Sequence, residues 1–209
     1  MRVDLYTAIH KAQRFHMCQL ANVIGGADLE SDEAANALAD RVRQLIAHLR
    51  DHAHNEETYI HPLFDAAGTG AGPLRDEHDE LEAALEELER VVGEGRRQDL
   101  YPAYTRFLGQ YLLHLSEEEE AQRQVLWPRY TDDTLRGVLD RFKAERPRDK
   151  AAADLEFMLP ALSASELANL FRGMKQAVAP EVFGRACEQG RRLVAADTWQ
   201  RVASDIAAE

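Results

Sequence analysis

Cysteine is almost missing from this chain: 209 residues include two, Cys18 and Cys187, far apart in sequence. That excludes a disulfide framework and a thiolate metal site. Long apolar runs are missing as well. No stretch approaches the roughly 18 apolar residues of a membrane span, and no charged-then-apolar segment reads as a secretory signal. A cytoplasmic protein is the expectation, with no membrane partner. Positive charge is scarce: 25 Lys and Arg stand against 37 Asp and Glu, a formal net charge of -12. Nucleic acid and anionic lipid are therefore not expected partners. There is no Gly-rich phosphate loop and no HExxH. Strand-like alternation and a fixed-period repeat are absent, which leaves an all-α chain.

What the chain does have is histidine on apolar helical stripes. Residues 101–127 carry Tyr104, Phe107, Leu108, Tyr111 and Leu115 at helical spacing, and His114 and Glu118 continue that stripe. A carboxylate on a core-facing stripe costs several kcal/mol unless something compensates it. A metal ion is one compensator, because an i,i+4 His/Glu pair aims both side chains at one spot. A solvated acidic run, Glu117 to Glu120, is the plainer alternative. The same device recurs at His52 and Glu56, on the stripe Val42, Leu45, Leu49, Ile60, Leu63.

Two further helices carry one stripe histidine each. His10 lies among Tyr6, Gln13, Met17, Leu20 and Ile24 on a helix over about 4–24 that Gly25-Gly26 ends. His78 lies among Leu74, Leu81, Leu85, Leu88 and Val92 on a helix from Pro73 to about Glu94. Glu82, one turn after His78, is open to three readings: ligand, hydrogen-bond acceptor or solvated glutamate. The second helix spans about 32–65, capped by Ser31 and kinked or ended near Pro62. His48 shares the face of His52 as ligand, donor or packing, whereas His54 and His61 read as peripheral. Arg14 could pair with a carboxylate, and Tyr59 and Tyr111 lie near the ligand stripe.

A fifth helix follows, capped at Thr131 and running to about Glu145. The polar segment 145–150 is the expected boundary between a unit 1–145 and a C-terminal helical extension 146–209. Ser163-x-x-Glu166 is a capping box opening a helix over 164–178, and a last helix over 180–207 is interrupted near Gly190 and restarts at Asp197. The extension has apolar stripes but no histidine, so it reads as a cover or as a homodimer contact.

Four helices with short connections suggest an up-down-up-down bundle. At about 1.5 Å per residue, His78 and His114 fall at matching depths, roughly 24 and 22 Å from their shared turn. Glu56 and His78 differ in depth by roughly 8 Å, and His10 and His52 by roughly 10 Å, which the loop between them can absorb. One HxxxE is weak evidence; the order His, HxxxE, His, HxxxE on four successive stripes is specific.

That order resembles the hemerythrin-like, or HHE cation-binding, domain family. The residues that carry it are His10 in IHKAQR, His52 and Glu56 in HAHNEETYIHP, His78 in LRDEHDEL, and His114 and Glu118 in HLSEEEE. The resemblance covers residues 1 to about 145. It implies a four-helix bundle around two non-haem irons, with the four histidines as terminal ligands, Glu56 and Glu118 as bridges, and an oxo or hydroxo bridge. Oxygen-carrying members usually have a second histidine where this chain has Leu74, and HxxxxD where it has HxxxE. An open coordination position would suit binding, sensing or reduction of O2, peroxide or NO, and an oxidase or peroxidase activity is left open. The mixed imidazole and carboxylate donors favour iron or manganese over structural zinc. The Glu-x-x-His signature of ferritin-like bundles is missing at every histidine. The non-metal alternative is a helical interaction or scaffold protein whose buried histidines pair with carboxylates.

Overall fold

The computed structural model describes residues 2–208, and all its regular elements are helical. The chain divides into two compact units, Met1–Ala144 and Glu145–Glu209. Among the described residues, no helix is long and apolar enough to cross a membrane.

Four long helices build the first unit: α1 (Thr7–Gly26), α2 (Asp32–Tyr59), α4 (Gly72–Gly93) and α5 (Arg97–Ala121), with a short α3 (His61–Ala66) after α2. Helix α1 packs on α2 and α5, and α4 packs on the same two. The buried faces are the stripes read from the sequence: Met17, Leu20 and Ile24; Val42, Leu45 and Leu49; Leu81, Leu85 and Leu88; Tyr104, Phe107 and Leu115. Asp4 opens α1 by accepting the backbone N–H groups of Tyr6 and Thr7 at 3.0 and 2.8 Å. Ser31 caps α2 as expected, accepting Ala34 N–H at 3.4 Å.

The expected single helix over 32–65 is two. The break falls at Ile60 because Pro62 has no N–H for the carbonyl of Thr58, four residues back. Arg141 donates to that carbonyl instead, at 3.2 Å. A loop with Gly68 and Gly70 at φ of +79° and +72° then reverses the chain into α4.

The helix expected to run on to Trp127 also departs from a plain α-helix. It starts four residues earlier than Tyr101, and after Ala121 it widens into a π-helical turn, Gln122–Leu126, before the single turn α6 (Trp127–Arg129). Gln122, which opens this turn, is buried. Its side-chain carbonyl accepts Leu5 N–H at 2.7 Å, and its amide donates to Asp4 at 3.1 Å. Gln122 and Leu126, at the two ends of that turn, are both buried. Leu126 joins Leu5, Tyr6, Ile60, Phe64, Leu74 and Leu135 in one apolar cluster. Leu135 comes from α7 (Asp132–Glu145), whose first turn is capped by Thr131.

The second unit contains α8 (Arg148–Met158), a 3₁₀ turn, α9 (Ala164–Ala177), α10 (Pro180–Leu193) and α11 (Ala196–Ala207). The capping box is formed: Ser163 Oγ accepts Glu166 N–H, and Glu166 accepts Ser163 N–H at 2.8 Å. Leu159, Leu167, Phe171, Trp199, Val202 and Ile206 make a separate core. The interruption expected near Gly190 falls three residues later, where α10 ends at Leu193, and the chain restarts as α11 at Ala196. A Cβ at Gly190 would overlap the Trp199 ring, so glycine there permits close packing rather than a break.

Candidate metal centre

The six sequence-predicted residues come together. His10 on α1, His52 and Glu56 on α2, His78 on α4, and His114 and Glu118 on α5 are all buried, with Glu118 and His10 at 0% exposure. They form two groups that share both carboxylates. One is His10, His52, Glu56 and Glu118; the other is Glu56, His78, His114 and Glu118. In each, one ligand atom per residue lies within 4.8 Å of every other.

The carboxylates divide their oxygens between the groups. Glu56 turns Oε1 toward His52 Nε2 (2.8 Å) and His10 Nε2 (3.4 Å), and Oε2 toward His78 Nε2 (3.6 Å). Glu118 turns Oε1 toward His78 Nε2 (3.5 Å) and Oε2 toward His114 (3.3 Å) and His10 (3.4 Å). Most of these distances exceed an ordinary N–H···O bond of roughly 2.7–3.2 Å. They match donors arranged around a common ion at about 2.1 Å, whose neighbours stand roughly 3.0–3.5 Å apart. The close His52–Glu56 approach lacks hydrogen-bond geometry at Nε2.

An orphan count points the same way. Glu56 Oε2, both Glu118 oxygens, His52 Nε2 and His78 Nε2 are buried without a hydrogen bond. Native interiors rarely leave such atoms unpaired, and five converging on one spot are the donor set of a cation site. Mixed imidazole and carboxylate donors fit iron or manganese.

Protonation offsets the buried charge when no ion is bound. Burial works against a charged His10, but Glu119 and then Glu56 raise its pKa to about 9. Burial opposes a charged His78 too, yet Glu118 and Glu56 push it up to about 11. For Glu56, burial would raise the carboxyl, and His52, His10 and His78 instead hold it well below the usual range. Burial lowers His114.

Three carboxylates outside the predicted set orient the rings. Glu119 lies 3.1 Å from His10 Nδ1, Glu57 3.0 Å from His78 Nδ1, and Glu77 2.7 Å from His114 Nδ1. Such contacts fix the tautomer and direct Nε2 inward. Arg14 fulfils its expectation by donating to Glu119 at 2.6 Å. Each of these glutamates is the chain neighbour of a predicted ligand, Glu56, His78 or Glu118, and serves the histidine of an adjacent helix.

Other readings change. Glu82 neither ligates nor supports His78, because Arg50 binds it at 2.6 Å. His48 is half-buried and stands outside both groups. Tyr59 packs against Phe142 and under Arg141, away from the centre. Tyr111 packs on His114 and accepts from Gln13 Nε2 at 3.4 Å. Tyr6, read as a stripe residue only, has a buried hydroxyl without a partner, its ring 5.1 Å from that of His10. Burial, then the charges of Glu118 and Glu56, raise its pKa well above the ordinary value and keep it protonated.

His61 is the clearest correction. It is not peripheral but fully buried, with its ring stacked on that of His78 at 5.0 Å. The break at Ile60 is what turns it inward, an offset that a continuous helical wheel does not contain. Burial, then the neighbouring His78, lower its pKa to about 4.

No curated protein and no solved structure matches the chain significantly. The family model for the hemerythrin HHE cation binding domain matches residues 1–126. That span contains all six converging donors and more than half the chain, which belongs to the hemerythrin HHE cation-binding domain family.

Proposed function

We propose that this protein is a non-haem di-iron protein that binds a small oxidant, O2, peroxide or NO, and senses or reduces it. The observation that carries this reading is the sharing of Glu56 and Glu118 between two histidine pairs. Glu56 and Glu118 would be shared by two ions, each held in addition by one histidine pair, and an oxo or hydroxo bridge and one small ligand would complete the centre. In this reading α1, α2, α4 and α5 form an up-down-up-down bundle and the protein works in the cytoplasm. Manganese or zinc would fit the same donors with different reactivity.

Bound iron would supply the electrons for oxidant chemistry. The chain's own part is to hold, exclude and orient. Leu74 and Leu81 on α4 and Leu115 on α5, the helices that carry His78 and His114, are buried apolar side chains. The protonated Tyr6 hydroxyl offers a hydrogen-bond donor to an oxygen ligand. The His52→Ala and Glu118→Ala variants test the assignment: each is expected to lose at least half the bound iron. Full metal content in both would defeat it. Peroxide consumption in proportion to bound iron would mark an enzyme; ligand-dependent spectra without turnover would mark a sensor. The homodimer through the C-terminal helices remains a proposal for which sedimentation is the test.

A further inference from the structure

His61 is a fully buried histidine with neither ring nitrogen hydrogen-bonded. A buried imidazole normally satisfies at least one nitrogen, so an imidazole with two orphan nitrogens awaits a partner. Its surroundings narrow the choice. The groups acting on it are His78, Glu56, Arg75 and Glu57, two of them from the donor set itself. Its ring centroid lies 5.0 Å from that of His78, close to the 4.9 Å of His78–His114 and the 5.4 Å of His10–His52. His61 therefore stands beside His78 at the spacing that separates the paired imidazoles of each group.

The two groups are otherwise alike, each with two imidazoles and the same two carboxylates. The side that contains His78 and His114 has a further fully buried imidazole, His61, against it. His61 also sits on α3, a six-residue helix separate from the four that carry the other donors. Its ring nitrogens fall outside the converging group, so engaging an ion requires its side chain to turn.

We propose that, on the metal-binding reading above, His61 is a seventh protein ligand, a third imidazole for the ion held by His78 and His114. The two ions are then inequivalent. The His78–His114 ion has three imidazoles and the His10–His52 ion has two, so the second is the more open to a small ligand.

The test uses the full chain loaded with Co(II), whose visible absorption reports coordination number, and compares wild type with His61→Phe and His61→Ala. Phenylalanine keeps the stacked ring and fills the site, so the fold is preserved. The expected result is two Co(II) per chain in both variants, with one ion held at least about tenfold more weakly and its visible bands changed. Added imidazole is expected to restore the bands in His61→Ala, where there is space for it, and not in His61→Phe. Wild type and His61→Phe with the same two affinities and the same bands would overturn the ligand role and leave the di-metal centre standing. A wild type that takes up no Co(II) or iron would overturn the metal-binding reading and the ligand role with it.

Discussion

Glu57, Glu77 and Glu119 each sit one position along the chain from a core-facing ligand, yet each serves a histidine on the adjacent helix. Replacing any one with glutamine keeps the size and removes the charge that makes the imidazole a better donor. Each such variant is expected to weaken metal binding by roughly 10- to 100-fold with little change in helix content, as read by chelator competition and circular dichroism. Protons at the centre give a second residue-scale prediction. Neighbouring carboxylates push His10 up to about 9 and His78 up to about 11, from an ordinary 6.5. The stability they contribute to metal-free protein is fully present below 6.5 and falls as pH rises toward 9 and then 11. Glu56 is depressed, so its contribution is present above 4.5 and is lost as pH falls through its folded value. Urea unfolding of chelator-treated protein is expected to show declining stability from pH 7 to 10. Metal affinity should move the opposite way over that window, because the two histidines must lose protons to bind. The six donors were legible because polar residues on apolar stripes are conspicuous. The ring-orienting glutamates were not, because residues 117–120 and 76–82 are rich in acid, and only the helix packing decides which carboxylate faces an imidazole.

At the scale of elements, the helices were legible from period and caps, and their irregularities were not. Pro62 signalled a kink, but the turn of His61 into the core depends on Ile60 leaving the helix and on Arg141 taking the freed carbonyl of Thr58. Gln122, which opens the π turn, accepts a hydrogen bond from Leu5, 117 residues away in sequence. No local pattern encodes such a partner. Near Gly190 the break was legible and falls at Val194-Ala195, whereas the packing of Gly190 against Trp199 was not. The Gly190→Ala variant is expected to destabilise the C-terminal unit by about 1–3 kcal/mol through overlap with Trp199. A lowered urea midpoint checks this, and an unchanged midpoint would mean that Trp199 can move aside.

For the whole molecule, two compact units with separate cores account for the distribution of chemistry. Every histidine lies in the first unit and none in the second. The stripe of Leu167 and Phe171 that suggested a cover or subunit contact is buried in the second unit's own core. Burying Glu118 with neither oxygen hydrogen-bonded, and Glu56 with Oε2 unpaired, is costly for a structural scaffold, and the cost is offset when cations occupy the site. The central claim is therefore that the first unit holds two ions. The most direct test is metal content by mass spectrometry on tag-free protein, with an absorption spectrum of the same sample before and after azide. Two irons per chain and a near-ultraviolet band that shifts with azide are predicted. No bound metal after anaerobic iron loading would contradict the account and leave a helical scaffold whose histidines pair with carboxylates.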